Sequence, residues 1–588
     1  MISLALLVGL LGLVPAASGV IFIVGGRRLP RMAAVIWCGL ALLFCLIVVL
    51  YFISLLGYGQ TIPATAFMQN GWARWLQLSY QVDAFNVFSA LVIGVLASAV
   101  AALLIAIEPA QVGPYQQGEQ HAEPQKHIKR QEQTWQTGVL LICLGAIFTV
   151  IFANSALWIA LGWGLAGLCA LALYTQGQTY TWAAILLATP VVSAIILYLA
   201  LLPASSARAD KRLDLLNGLE REPLWAAIIM LIALLTPGTI LLIQQALSSE
   251  MPRPAGMSQS AAYALMASPA TFTAFSRLAL LIAGPGSVRP GAGSVSWQAF
   301  SLVTIWIVSA LGLAAALLAL RQAERASLPL FLSIQLLAWM FLAIAITGTA
   351  ALNGALMLKL LRFLALGALL LVGGRKPAQS LLSISWWLAA LSLSAFPFFA
   401  TFSSSWLITA NAITAGPAWV AGAGVSWLAL LLATLAIVRA GGKESTTAGD
   451  ELPPGATSQA ETGPSFLVFL LALLALVTGI APEVVVKFFT GPAASALPVI
   501  SSSLPSATVQ TSPLGLIADA GHWLPGLFWL LALVLLALIL LLTRHERQAA
   551  STSPFLGGEA GAGHASDTIG SDASGADTHQ EPAPASQS

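Results

Sequence analysis

Apolar positions in this chain come in long unbroken runs, not in the alternation of a half-buried strand or the narrow stripe of a surface helix. A run of about twenty apolar residues is the length that crosses a bilayer's hydrocarbon core. About fifteen such runs are present, centred near residues 13, 44, 95, 145, 165, 191, 235, 271, 309, 338, 362, 391, 428, 476 and 533. The pattern predicts an all-α polytopic membrane protein with about 14–15 transmembrane helices. The first run has no basic residue before it, and Arg27, Arg28 and Arg31 follow it. It therefore reads as a retained helix and not as a cleaved leader.

Polar interruptions divide the chain. Residues 1–107 hold helices 1–3, and 108–135 ("EPAQVGPYQQGEQHAEPQKHIKRQEQ" within it) read as a polar cytoplasmic loop. Residues 136–285 carry helices 4–8, 298–440 carry helices 9–13, 441–464 form a second polar loop, and 465–548 carry the C-terminal transmembrane helices. Residues 489–520 read as a mostly uncharged external stretch. Residues 549–588, rich in Ser, Gly, Ala and Asp, read as a disordered tail, because they bury too little apolar surface to offset ordering entropy. Lys and Arg concentrate in alternate loops: Arg27, Lys126, Lys129, Arg130, Arg321, Arg325, Arg375, Lys376, Arg439 and Lys443 fall on one side. The exception is 204–223, with Arg208, Lys211, Arg212 and Arg221. The positive-inside rule then gives an external N-terminus and a cytoplasmic C-terminus in a cell membrane.

Composition agrees. Of 588 residues, 58% are apolar and 8% charged, against about 25% charged in soluble domains. A net charge of +2 gives no field that would favour nucleic acid. Cys38, Cys45, Cys143 and Cys169 all lie inside apolar runs without a CxxC pair, and read as small buried hydrophobes. His121, His127, His522, His545, His564 and His579 fall in loops, at a span edge or in the tail, which excludes haem ligation by histidines on facing helices. No metal, cofactor or catalytic constellation is expected.

Charges inside spans usually mark function. Arg277 lies in the eighth span, and Lys359 and Arg362 lie in the eleventh, three residues apart and so on one helical face. That pair either snorkels to a helix end or faces the protein interior. Asp83, opening the third span, reads as an interfacial or capping residue.

Two spans are interrupted. "MLIALLTPGTILLIQQAL" contains Pro237 and Gly238, and "LSLSAFPFFATFSSSWLITA" contains Pro397. Proline removes a helix hydrogen bond, and the freed carbonyls survive only against protein or water. The interruptions are 160 residues and five spans apart. An odd offset inverts topology, so the breaks either mark two inverted five-helix repeats, 136–285 and 298–440, or are incidental kinks.

These segments resemble the antiporter-like subunits of proton-pumping NADH:quinone oxidoreductase (complex I) and of multi-subunit sodium/proton antiporters. The resemblance runs in order over about residues 70–410. It rests on "SYQVDAFNVFSALV", "NSALWIALGWGLAGLCALALY", "TPGTILLIQQALSSEMPRPAGMSQSAAYALM" (with Glu250, Pro252 and Pro254), "AERASLPLFLSIQLLAWM" and "AFPFFATFSSSWL".

In that family buried charges relay protons across the membrane. The resemblance puts Gly164 at the fifth-helix glutamate, Leu235 at the seventh-helix lysine and a position near Ser260 at the eighth-helix histidine. Ala326 falls at the lysine of an Asp-x-Lys pair whose acid is Glu324, and Ser405 at the twelfth-helix lysine. Lys359 or Arg362 falls at the eleventh-helix lysine. Glycine, leucine, alanine and serine do not shuttle protons as buried lysine and glutamate do, and arginine stays charged. The resemblance thus implies a subunit that keeps the scaffold and has lost most relay groups, structural or weakly proton-conducting, partnered by other membrane subunits. Two alternatives stay open: a membrane partner in another ion or inorganic-carbon transporter, and a non-transporting scaffold. Electron transfer, if any, would lie in partner chains.

Overall fold

The computed structural model describes residues 4–25, 31–56, 62–66, 79–106, 122–153, 155–174, 188–199, 229, 231–232, 234–236, 294–322, 325, 327–346, 348–372, 380–442, 462–496, 509–512, 515–518, 521–524 and 534. The chain forms two compact units, Met1–Leu530 and Leu531–Ser588, and every element named below lies in the first.

The apolar runs are helices, because in lipid each backbone N–H and C=O must be satisfied within its own segment. In order they are α1 (Leu4–Gly25), α2 (Arg31–Leu56), α3 (Ala84–Ala106), α4 (Ala122–Phe152), α5 (Ala156–Tyr174), α6 (Ala188–Leu199), α7 (Ser294–Gln322), α8 (Leu328–Ile346) and α9 (Thr349–Leu361). There follow α10 (Gly367–Val372), α11 (Ser380–Ser392), α12 (Ala400–Ala415), α13 (Pro417–Gly442), α14 (Thr462–Ile480), α15 (Pro482–Val485) and α16 (Gly491–Ala496). Among the described residues seven helices are long and apolar enough to cross a membrane, one further pair is a bent span, and four are shorter apolar helices. In order these match the expected spans, apart from those centred near 235, 271 and 533, which lie wholly or mostly outside the described residues. The chain is a multi-pass membrane protein.

The core is α8 with the α9–α10 span. Every residue of the α8 window and 94% of the Thr349–Val372 window are covered by protein, against 33% for α1 and α2. A helix apolar all round is thus explained twice over: by burial at the centre, and by a lipid-facing side at the periphery, where Leu13, Val24, Ile36 and Leu40 are exposed. On the periphery α1 meets α4 through glycines. A Cβ on Gly138 would come 2.8 Å from the Gly19 carbonyl, and one on Gly145 would come 2.9 Å from Ala16 Cβ. Gly12 and Gly19 face Gly145 and Gly138, so the two backbones run antiparallel in direct contact.

Basic residues tie helix ends. Arg325 donates to the carbonyls of Ala440 (3.1 Å) and Gly441 (2.9 Å) at the end of α13, and its guanidinium lies over Trp386 at 5.1 Å. Arg439 donates to the Leu320 carbonyl at the end of α7 (3.1 Å). Cations belong at these carbonyl-rich ends.

Four expectations change. Residues 122–134 are not loop: they are the first turns of α4, built from Glu, Gln, Lys and Arg that favour helix even where they are too polar for lipid. His127 therefore sits on a helix. The stretch 489–520 holds structure, because α14 turns through 95° at Pro482 into the segment Pro482–Ser495. Strands β3 (Val509–Ser512), β4 (Gly515–Ala518) and β5 (Gly521–Trp523) then form an antiparallel meander in which Leu516 faces Trp523 across the ladder. A second small sheet pairs β1 (Ile62–Ala66) with β2 (Ser79–Val82), so strands supplement an otherwise helical architecture. Asp83 is a cap, as expected: its Oδ1 accepts the Asn86 N–H at 2.7 Å.

Candidate functional site

The site is built on the central span. α9 passes into a wide π-turn, Arg362–Leu366, before α10 resumes at Gly367. Such turns interrupt helices mostly at functional positions. Lys359 precedes it and Arg362 opens it, both buried, so the interior alternative holds and snorkelling does not.

The two side chains part company. The Lys359 ammonium donates to Ser89 Oγ of α3 at 2.5 Å and lies over the Phe85 ring at 5.1 Å. Ser89 Oγ in turn donates to the Phe85 carbonyl at 2.7 Å. Arg362 donates through Nη2 to Ser333 Oγ on α8. A spacing of three puts them on one face, but each engages a different neighbouring helix, so they are not one paired site.

The second component is the break between α11 and α12. Phe398, next to Pro397, has φ 81°, a left-handed conformation that a bulky residue adopts only where its surroundings enforce it. The freed backbone groups find hydroxyls. Thr401 Oγ1 donates to the Ser392 carbonyl across the break (2.8 Å), the Ala395 N–H donates to Thr434 Oγ1 of α13 (2.8 Å), and the Phe396 N–H donates to Ser394 Oγ (3.3 Å). Ser404 Oγ turns back to the Ala400 carbonyl at 2.7 Å. Gly354 of α9 rests on this region: a Cβ there would come 2.6 Å from the Ser404 carbonyl, which is why position 354 is glycine. Gly479 of α14 lies equally close to Phe399 and Ala400. The break is braced by protein on two sides.

Ser405 is fully buried, and among the described residues its hydroxyl makes no hydrogen bond. Gly164 is buried on α5 against α6: a Cβ would come 2.7 Å from Ala194 Cβ, and one on Gly167 would come 2.9 Å from Pro190 Cβ. An acid at 164 has no room. Leu235 is buried among apolar neighbours. Arg277, Glu324, Ser260, Ala326, Pro237 and Gly238 lie outside the described residues. No three metal-ligating side chains meet among the described residues, and all four cysteines are buried thiols.

Sequence reading missed Ser89, Ser333, Thr401 and Thr434. Neutral hydroxyls in apolar spans carry no pattern, and Ser89 meets Lys359 across 270 positions of chain.

No protein-family model matches the sequence, and no curated protein matches it. Solved structures do. A chain of the Mrp complex from Dietzia sp. is similar over 84% of this chain and 97% of that one, at 14% identity and TM-score 0.62. A chain of the membrane-bound sulfane sulfur reductase, an archaeal respiratory membrane complex, is similar over 90% and 84% at 15% identity and TM-score 0.64. A chain of respiratory complex I from Thermus thermophilus is similar over 84% and 100% at 17% identity and TM-score 0.60. This chain has the fold of those membrane subunits along nearly its whole length, the fold its sequence resemblance implied.

Proposed function

We propose that this protein is a membrane subunit of a respiratory or ion-translocating assembly of the antiporter-like type, in which the helix scaffold is kept and the proton relay is largely replaced by neutral groups. Its role is structural or weakly proton-conducting, beside other membrane subunits. The observation that carries this reading is what stands at two relay positions. Gly164 is closed off by Ala194, and Ser405 is a neutral hydroxyl beside a break whose backbone is held by other hydroxyls. A relay needs groups that exchange protons near neutrality, and these do not. Lys359 and Arg362 remain as buried cations that join α9 to α3 and to α8.

The N-terminus lies outside and the C-terminus in the cytoplasm. Arg325 and Arg439 support one part of this reading, that their two loops share a side: Arg325 binds the end of α13 that carries Arg439, and Arg439 binds the end of α7 just before Arg325. The relation of the Pro397 break to Pro237 as inverted repeats belongs to the same reading.

The test is purification of the tagged full chain from its native membrane in mild detergent. Recovery with other membrane subunits of one assembly is the expected result. Recovery of the chain alone removes the subunit reading. Recovery with a single soluble partner moves it to the inorganic-carbon or other transporter alternative.

A further inference from the structure

The sheet β3–β5 reaches unusually far into the molecule. Leu516 of β4 is fully buried in a cluster with Met357, Leu407, Val485 and Val486. Met357 stands eight residues after Thr349 and Leu407 seven after Ala400, so Leu516 lies about 10–12 Å along both helices. On β5, Trp523 stacks on Phe402 at 4.7 Å and donates from Nε1 to Ser403 Oγ at 2.8 Å, in the first turn after the break. The opposite face carries exposed Gln510 and His522, which flank Ile517 across the ladder. Strand backbone at membrane depth is tolerated only where protein covers it or water fills the space beside it. An apolar inner face and a polar outer face match a floor laid across a wet vestibule.

Behind that floor the aromatic contacts continue. Phe402 meets Trp427 at 5.2 Å, and Trp427 meets Trp339 of α8 edge-on at 5.8 Å. Trp427 Nε1 donates to Thr409 Oγ1, whose own proton goes to the Ser405 carbonyl. Around this chain are three side chains, each 1% exposed or less: Gln335, Trp339 and Ser405. Among the described residues neither amide atom of Gln335, nor Trp339 Nε1, nor Ser405 Oγ has a hydrogen-bond partner. Gln335 and Trp339 are one turn apart on the same face of α8. These four buried polar atoms without a partner, on α8 and on the α12 turn that the same aromatic chain reaches, demand an explanation, because a buried donor or acceptor left dry is costly. The donors and acceptors are all uncharged and of both kinds, which suits water.

We propose that Gln335, Trp339 and Ser405 line a neutral, water-holding pocket beside the helix break, and that the sheet β3–β5 is a re-entrant plug, latched by Trp523 on Ser403, that separates this pocket from an aqueous vestibule. The ligand is water. The plug is independent of which assembly the chain joins.

Two measurements on the full chain in lipid test this. Radiolytic footprinting oxidises side chains that touch bound water. Trp339 (1% exposed) is expected to be oxidised well above Trp419, which is slightly more exposed (5%) but has its Nε1 bonded to Ser301 (3.0 Å). Equal protection of both indoles overturns the wet pocket. For the plug, S405C gives a reporter in a chain whose Cys38, Cys45, Cys143 and Cys169 are buried. A small impermeant thiol reagent is expected to label S405C slowly. Labelling should rise about tenfold on adding S403A, the shift that one lost hydrogen bond gives, and further on adding W523A. W523F, which keeps the stacking and loses the donor, should match S403A, and carries the test should W523A fail to accumulate. Labelling of S405C that does not respond to S403A or W523F overturns the plug.

Discussion

Thr401 and Ser392 are joined across the break at Pro397: the threonine hydroxyl donates to the serine carbonyl at 2.8 Å, replacing a backbone bond that the interrupted helix no longer makes. Together with Thr434, which accepts the Ala395 N–H, it explains why the polar residues around this proline are hydroxyls and not charges. A buried amide or carbonyl needs a neutral partner close by. A lysine or carboxylate would bring its own desolvation cost.

The first prediction concerns that brace. Thr434→Val keeps the side-chain volume and leaves the Ala395 N–H unsatisfied, so it is expected to destabilise the protein by about 1–3 kcal/mol. Ser54→Ala, on an exposed hydroxyl that bonds only its own helix turn, is expected to stay within about 0.5 kcal/mol. Thermal unfolding of both variants in one detergent decides. Equal midpoints would remove the brace.

The second concerns the glycine crossing of α1 and α4. Gly145→Leu puts a side chain where Ala16 Cβ already stands 2.9 Å from a bare Cβ. The helices must separate, at a cost of more than about 2 kcal/mol. Gly39→Leu, where nothing lies within 4 Å, is expected to be tolerated. Yield of folded protein by fluorescence-detected gel filtration separates the two.

The third tests whether the relay can be put back. Gly164→Glu is expected to lower folded yield without raising proton flux in liposomes, because Ala194 occupies the space an acid needs. A gain of flux in that variant would contradict the packing reading of this position.

The fourth concerns the buried cations. Lys359→Leu removes the ammonium that donates to Ser89 Oγ, and Arg362→Leu removes the guanidinium that donates to Ser333 Oγ. Each is expected to cost about 1–3 kcal/mol of stability and to reduce assembled complex. Flux of the reconstituted chain should stay at its low starting level. A selective loss of transport with normal assembly would assign them to conduction instead.

The fifth is chemical. Cys38, Cys45, Cys143 and Cys169 are expected to resist an impermeant maleimide in the native protein and to react after denaturation. Intact-mass spectrometry counts the adducts, and native labelling of any of the four would place that thiol at an aqueous surface.

The run lengths of apolar residues by themselves determined that this chain crosses a membrane many times, because a bilayer's thickness sets one length for every helical span and a run of about twenty apolar residues satisfies its own backbone there as a helix. The sequence also located the break at Pro397, but it left Lys359 and Arg362 either snorkelling or interior, and only their burial in the structure decided between the two. Tertiary structure alone decided which helices those cations join, that Gly164 is filled by Ala194, and that the stretch after residue 489 turns back as a sheet whose Trp523 meets Ser403. Those are pairings between distant, neutral, small side chains. Serine, threonine and glycine look alike in every span of an apolar sequence, and only the packing of one helix on another selects the few that hold a carbonyl, a cation or another helix's backbone.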